Sequence, residues 1–335
     1  LFQQFQHSIQ DIKEILKDDL ALIDIHLKNI VLNQDGLISQ VVENIFSGGG
    51  KRIRPILHIL TGKLLQSEPT SLDESFYYLA AAIELIHCAT LLHDDVIDKS
   101  DLRRGKKTAN YLFDNKTAIL VGDFLFAESF KLMVKTNNNK ALNVLATTSS
   151  LISQGEVRQL ELQQKDFITK DQYYNVIEAK TAILFAASTE LSAYVSAENQ
   201  CHAAILKDFG LNLGLAFQII DDILDYNSAS NLLGKEIGDD FFEQKITLPI
   251  ILLEKKLDSQ ERLYLKQLFD KKYQPNNKDL LEITKLLNKY DIFNQSFSYA
   301  ERHVNSALEI LNSFAKNEAR DILESICRII IARKY

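Results

Sequence analysis

Apolar residues recur at three- and four-residue intervals along most of this chain, the repeat of helices with one buried face. From residue 76 to 97 the stripe runs Leu79, Ile83, Ile86, Thr90, Ile97, with small residues packed between. The same spacing predicts helices over 118–134, 141–162, 171–194 and 203–225. Beyond residue 253 the outer faces become more polar, and helices are predicted over 259–269, 278–289 and 297–332. The breaks are short: a Gly-rich loop at 47–50, a polar connector at 99–107, and turns at Pro69, 137–139 and 274–277. The longest stretch without periodicity is 227–243. No convincing period-2 alternation interrupts the helical pattern. With 12 Gly and 4 Pro in 335 residues, breakers are too few to divide the chain. The prediction is an all-α fold in a single domain over 1–335.

Composition narrows the function classes. An apolar fraction of 46% with 25% charged residues describes an ordinary soluble protein. A net charge of −7 argues against a nucleic-acid partner, although a locally basic pocket for an anion stays open. No uninterrupted apolar run approaches the ~18 residues of a membrane span, and no charged-then-apolar leader is visible. Cys88, Cys201 and Cys327 lie far apart, without metal-ligand spacing, and read as reduced thiols of a cytoplasmic protein.

Two acidic clusters change the picture. His93-Asp94-Asp95-Val96-Ile97-Asp98 ends one strongly apolar helix, and Asp221-Asp222-Ile223-Leu224-Asp225 ends another. Residues four apart share a helical face, so Asp94 pairs with Asp98 and Asp221 with Asp225. Like charges at that spacing repel, and carboxylates at a helix C-terminus oppose the macrodipole. One such cluster is as easily a solvated helix end. Two matched clusters on apolar helices call for cations, and hard divalent ions such as Mg2+ suit oxygen ligands and share their shell with phosphate oxygens.

Basic residues supply the complement. Gly48-Gly49-Gly50-Lys51-Arg52-Ile53-Arg54-Pro55 joins a flexible loop to cations, with Pro55 in the first turn of the next helix. Such a loop lets the backbone and the Arg forks approach phosphate oxygens, but the order of residues is not that of a Walker loop. Arg103-Arg104-Gly105 follows the first acidic cluster; Lys180-Thr181 interrupts an apolar helix; Phe217-Gln218 precedes Asp221 by a turn. Gly234-Lys235 and Lys245 flank Asp239-Asp240. His87 lies about two turns before Asp94 on the same face. Each is weak alone, since a helix lysine can simply snorkel and a lone His is usually a core residue. Together they describe a cavity with divalent ions on one side and phosphate-binding cations on the other.

With these motifs in order, the chain resembles the trans-polyprenyl diphosphate synthase family, its bacterial octaprenyl branch most closely. The resemblance runs through 49–55, 83–110, 120–124, 155–160, Lys180-Thr181, 217–226 and 234–249 and spans essentially the whole chain. It implies an isoprenoid-synthase-type helical bundle around a deep central cavity. It implies Mg2+ held by Asp94, Asp98 and Asp221, with Asp95, Asp222 and Asp225 supporting. Arg103, Lys180, Lys235 and Lys245 would hold an allylic diphosphate. Lys51, Arg54, His87 and Arg104 would hold isopentenyl diphosphate. Thr181 and Gln218 would line the reacting carbons. Ile246 stands where relatives often carry Pro, which bears only on the local loop shape.

The implied reaction ionises the allylic diphosphate, condenses it with isopentenyl diphosphate and eliminates a proton, with the departing pyrophosphate as base. Ala89 and Thr90, five and four residues before Asp94, are small where short-chain relatives often place an aromatic floor. The tail is therefore expected to pass, with Leu132 and Met133 as a deeper stop. The product would be long and all-trans, grown from farnesyl diphosphate, with octaprenyl for quinone side chains the first expectation and shorter or longer chains as alternatives. The resemblance also implies a homodimer, and product release implies contact with a membrane. A class I terpene cyclase would not need the Lys51–Arg54 loop, and a non-catalytic partner of a heteromeric synthase would tend to lose the acidic motifs kept here.

Overall fold

The computed structural model describes residues 2–47, 50–66, 71–103, 105–163, 167–195, 197–226, 238–270 and 272–332. Helices α1 (Phe2–Ile15), α2 (Lys17–Leu32), α3 (Leu37–Ser47) and α4 (Ile53–Leu64) precede the long α5 (Glu74–Ile97). A two-stranded ladder, β1 (Leu102–Arg103) with β2 (Lys106–Lys107), and short α6 (Ala109–Leu112) lead into α7 (Asn115–Lys135) and α8 (Asn139–Leu162). Next come α9 (Lys170–Ile177), one π-helical turn (Glu178–Ala182), α10 (Ile183–Val195) and, after a 3₁₀ turn, α11 (Ala203–Asp225). Short α12 (Asp239–Phe242) and α13 (Leu248–Glu254) precede α14 (Ser259–Leu268), α15 (Asn277–Lys289), α16 (Ile292–Leu311) and α17 (Glu318–Ala332). The fold is all-α, as the periodicity predicts; the two-residue ladder is too short to leave an alternating pattern.

The heaviest packing joins α5 to α7, α10 to α11, and α11 to α16. α5 buries Leu79 through Ile83 completely, and Ala80, Ala81, Ala82 and Ala89 let neighbours approach its backbone. α5 and the stretch Glu198–Asp225 are apolar and long enough to cross a membrane, yet most of each apolar window is buried among other helices. Side chains set the helix starts. Asp73 accepts from the amide of Ser75, Asp114 from that of Thr117, and Thr169 forms a capping box with Gln172. Each such cap contributes about 1 kcal/mol.

Two predicted helices are interrupted. The segment 171–194 contains the π turn, whose wider coil is invisible to a 3.6-residue pattern. Gly155 of α8 lies against it: a Cβ at 155 would stand 2.8 Å from the Ala179 Cβ and 3.2 Å from the Lys180 amide nitrogen. The segment 297–332 is two helices, because the Arg320 guanidinium folds back onto the Phe314 carbonyl and the Asn312 side chain. Asn317 accepts from the Arg320 amide and starts α17. The apolar stripe resumes beyond the turn, so sequence periodicity alone bridges it.

Between α4 and α10 the core holds a polar cluster. His58 is wholly buried, its Nδ1 2.9 Å from the Ser188 carbonyl oxygen, while Ser192 donates to Thr61. Burial pushes the His58 imidazole down from 6.5 to about 4, against the upward pull of nearby backbone carbonyls. The folded protein therefore keeps His58 neutral where an unfolded chain would protonate it. Its contribution is full above pH 6.5 and is lost as pH falls toward 4, about 3 kcal/mol in all at 1.36 kcal/mol per unit. Urea unfolding between pH 7 and 4 should show this loss, and a His58→Gln protein should lack that share of the slope. An imidazole NMR titration of His58 near 6.5 in the folded protein would contradict it.

Candidate active site

α5 delivers the first acidic cluster at its C-terminal end, where the Asp98 amide still donates to the Asp94 carbonyl at 2.8 Å. Asp95 points elsewhere. It is 4% exposed and accepts from Arg103 Nε at 2.7 Å, fastening β1 to the helix end. Burial pushes the Asp95 carboxyl up, Arg103 pulls it down, and Asp94 and Asp98 push it up again. The structure thus places Asp95 and Arg103 as partners of each other. The hairpin turns through Gly105 at φ +74°, a left-handed conformation that glycine adopts without strain.

The π turn presents Lys180 to this cluster. Lys180 Nζ lies 2.9 Å from Glu156 Oε2 of α8 and 3.7 Å from Asp94 Oδ2. Lys245, between α12 and α13, lies 3.1 Å from Asp98 Oδ2 and also pairs with Glu243. Burial alone would lower both ammonium groups. Asp94 and Glu156 outweigh it at Lys180, and Asp240, Asp98 and Glu243 outweigh it at Lys245, so both are raised and stay charged. The first acidic pair is therefore brought against two lysines, Lys180 and Lys245, which the sequence motifs group with it in one site.

α11 delivers the second cluster, with its three carboxylates in different roles. Asp222 is 3% exposed, and its two oxygens are engaged, one by the Tyr173 hydroxyl at 2.6 Å and one by Gln218 Nε2 at 2.7 Å. The resemblance gives Asp222 a supporting place beside the metal; in this structure it is a buried hydrogen-bond acceptor. Burial, then the neighbouring Asp240, pushes its carboxyl up to about 8. Asp225 accepts from the Asp240 amide at 3.1 Å and, through its carbonyl, from Gly238, so it holds the start of α12. Gly238 has φ +88°. Asp221 is half-buried. Thr181 donates to Gln218 Oε1 at 2.7 Å. A cavity of about 130 Å³ lies here, its lining including Lys180, Thr181, Gln218, Asp222, Asp240 and Lys245.

The basic loop is fastened on several sides. Lys13 donates to the Gly50 carbonyl at 2.9 Å and Lys106 to that of Ser47 at 2.7 Å. Arg52, at φ 56°, lies 2.9 Å from Asp24 and 3.8 Å from the buried Glu84, so it anchors α4. Arg54 stacks over Phe185 at 4.7 Å, and Phe185 in turn meets Phe217 at 5.4 Å. Lys51 and His87 are half-buried. Arg104 and Lys235 lie outside the described residues.

The tail residues separate by exposure. Ala89 is fully buried, whereas Thr90 is half-buried and bonds to the His87 carbonyl. Leu132 and Met133 are buried on α7. α7 runs antiparallel to α5: His93 reaches the Ile119 carbonyl, and Lys135 lies over Tyr78. This register sets Leu132 level with Ala80 and Ala81, on the order of 20 Å below Asp94 at 1.5 Å per residue. The sequence reading gave no role to Glu156, Tyr173 or Glu243. Tyr173, two turns before Lys180 on the same face, was the one with a readable signal.

The fit to a divalent ion rests on the donor set. Asp94 and Asp98 offer hard oxygens from one helical turn, and the Lys180 and Lys245 ammonium groups lie beside them. Among the described residues no three His, Cys, Asp or Glu side chains cluster closely enough to hold an ion by themselves. An ion here needs oxygens from a second source, which is how Mg2+ usually binds beside phosphates.

Comparison with known proteins gives a consistent result. The family model described as Polyprenyl synthetase matches residues 35–287. Octaprenyl diphosphate synthase of Escherichia coli (strain K12) is 35% identical over 327 residues, covering 97% of this chain and 99% of that protein. All-trans-nonaprenyl-diphosphate synthase (geranyl-diphosphate specific) of Rhodobacter capsulatus is also 35% identical, covering 97% and 98%. Among solved structures, a polyprenyl synthase of Caulobacter crescentus CB15, complexed with calcium and isoprenyl diphosphate, superposes with a TM-score of 0.91 at 35% identity, covering 98% of each chain.

Proposed function

Because this chain belongs to the polyprenyl synthetase family and is a chain-elongating prenyl diphosphate synthase, we propose that it extends farnesyl diphosphate with isopentenyl diphosphate to all-trans octaprenyl diphosphate, with Mg2+ as its metal. The observation that carries this reading is the facing of Asp94 and Asp98 by Lys180 and Lys245 beside one cavity. The similarity to octaprenyl synthases supports the product length. A quinone side chain is the proposed destination.

Asp94, Asp98 and Asp221 would hold magnesium, which when bound supplies Lewis-acid pull on the allylic leaving oxygen. Lys180 and Lys245, already charged, bind diphosphate oxygens and stabilise the charge that develops as the C–O bond breaks. Lys51 and Arg54 hold the second diphosphate, with His87 beside them. Their grip turns a bimolecular attack by the isopentenyl double bond into a nearly unimolecular step. The buried walls of α5, α7, α10 and α11 exclude water that would trap an allylic cation as an alcohol. The proton lost from the new chain goes to departing pyrophosphate.

The test is product analysis of the isolated protein with farnesyl diphosphate, labelled isopentenyl diphosphate and Mg2+. A forty-carbon product is expected. Consumption of farnesyl diphosphate alone would mean a cyclase, and inactivity of the isolated protein a dependent subunit. Lys51→Ala and Arg54→Ala are expected to raise the KM for isopentenyl diphosphate about tenfold or more, with less effect on the allylic KM. Equal effects on both would reassign the loop.

A homodimer is part of the proposal. Leu120 and Val134 on α7 and Val157 on α8 are each about 60% exposed, and Phe130 and Leu160 add to this apolar surface, which a second copy would cover. Sedimentation of the wild-type protein against Val134→Glu and Val157→Lys checks it. A cytoplasmic location, with membrane contact when the long product leaves, completes the reading.

A further inference from the structure

The site contains a chain of hydrogen bonds with one direction. Tyr173 of α9 donates to Asp222 Oδ2 at 2.6 Å, and Gln218 Nε2 donates to Asp222 Oδ1 at 2.7 Å. Thr181 of the π turn donates to Gln218 Oε1 at 2.7 Å. With one Asp222 oxygen accepting from Tyr173 and the other from Gln218 Nε2, Asp222 holds the Gln218 amide with nitrogen toward itself and oxygen toward Thr181. The Thr181 proton must then point at Gln218. Thr181 and Gln218 both line the cavity, and in this arrangement the Thr181 hydroxyl and the Gln218 carbonyl have oxygen lone pairs that can face it, while the amide nitrogen is turned toward Asp222. If the amide were reversed, its NH₂ would face Thr181 and the threonine proton would be free to point into the cavity.

We propose that Tyr173 is a positioning residue that fixes this acceptor polarity, so that the oxygens of Thr181 and Gln218 face the allylic carbons as they become positive. The inference rests on the ionise-then-condense reading above. An acceptor wall lowers the energy of a developing cation, and a donor wall raises it. Tyr173 suits the task. It is 3% exposed, stacked edge-on against Tyr174 at 5.7 Å, and carried by a helix whose first turn is fixed by the Thr169 capping box. Without its hydroxyl, Asp222 keeps one bond and is free to turn about its carboxyl axis, and the Gln218 amide loses its fixed orientation.

The experiment is a cycle of Tyr173→Phe, Thr181→Val and the double substitution. It reads kcat, both KM values, melting temperature, and calorimetric binding of a sulfur-bridged farnesyl diphosphate that cannot ionise. Tyr173→Phe keeps the ring and its packing. It should lower kcat about ten- to a hundredfold, with both KM values and analogue binding within about twofold. The double substitution should be no worse than the poorer single one, because both act through one chain. Unchanged kcat, additive losses, or a kcat loss matched by weaker analogue binding would each overturn the proposal. If Tyr173→Phe proves unfolded, Gln218→Leu replaces it and must show the same non-additivity with Thr181→Val. Condensation by the wild-type protein is measured first. Its failure strikes the underlying reading, whereas an active wild type with an indifferent Tyr173→Phe strikes this inference alone.

Discussion

Asp94→Ala and Asp221→Ala are each expected to slow condensation about a thousandfold or more, equivalent to about 4 kcal/mol of barrier. Asp94 lies beside Lys180, on one helical turn with Asp98, and removing it leaves Asp98 alone to anchor an ion from α5. Lys180 would keep Glu156 as its partner at 2.9 Å, so the loss should fall on metal binding and leave the lysine in place. Folding should change little, because neither carboxylate belongs to the buried core. Asp95→Ala should differ. It strips the partner from Arg103 at a site 4% exposed, so melting temperature should drop along with activity. Activity is measured across Mg2+ concentrations and in chelator. A fully active Asp94→Ala protein, or turnover undiminished by chelator, would remove the metal from the mechanism.

The contrast between Asp94 and Asp95 marks how far the sequence could be read. α11 begins and ends where its apolar stripe does, and α5, α7 and α8 are read to within a few residues, because caps such as Asp114 sit beside strong stripes. The acidic clusters were legible for a similar reason, since a four-residue spacing fixes a shared face. Which oxygens are already engaged was not legible. Asp222 meets Tyr173 from 49 positions away, and no spacing encodes that contact. Arg52 and Arg54 are neighbours in one basic loop, yet Asp24 and Glu84 claim the first, while the second stacks over Phe185. The π turn was hidden because its extra width leaves Ile177 and Ile183 buried, as an unbroken helix would.

Thr90→Phe is expected to shorten the product sharply while leaving the diphosphate chemistry intact. Ala89 and Thr90 look interchangeable in sequence, both small and about one turn before the metal cluster. The structure separates them. Ala89 is fully buried, so a ring there must force neighbouring core atoms apart, at a cost of about 1–3 kcal/mol. Thr90 is half-buried, with its hydroxyl turned back to the His87 carbonyl, so a ring there should displace fewer core atoms. Four residues along α5 put it roughly 6 Å below Asp94, far above the level of Leu132 and Met133. A tail that grows down α5 would meet the ring within its first isoprene units. Ala89→Phe should therefore lower the melting temperature more than Thr90→Phe does, even if it also shortens the chain. Product lengths from farnesyl and isopentenyl diphosphates, read beside the melting temperatures, test the tail path. A folded Thr90→Phe protein that still makes the wild-type product would show that the tail does not run along this face of α5.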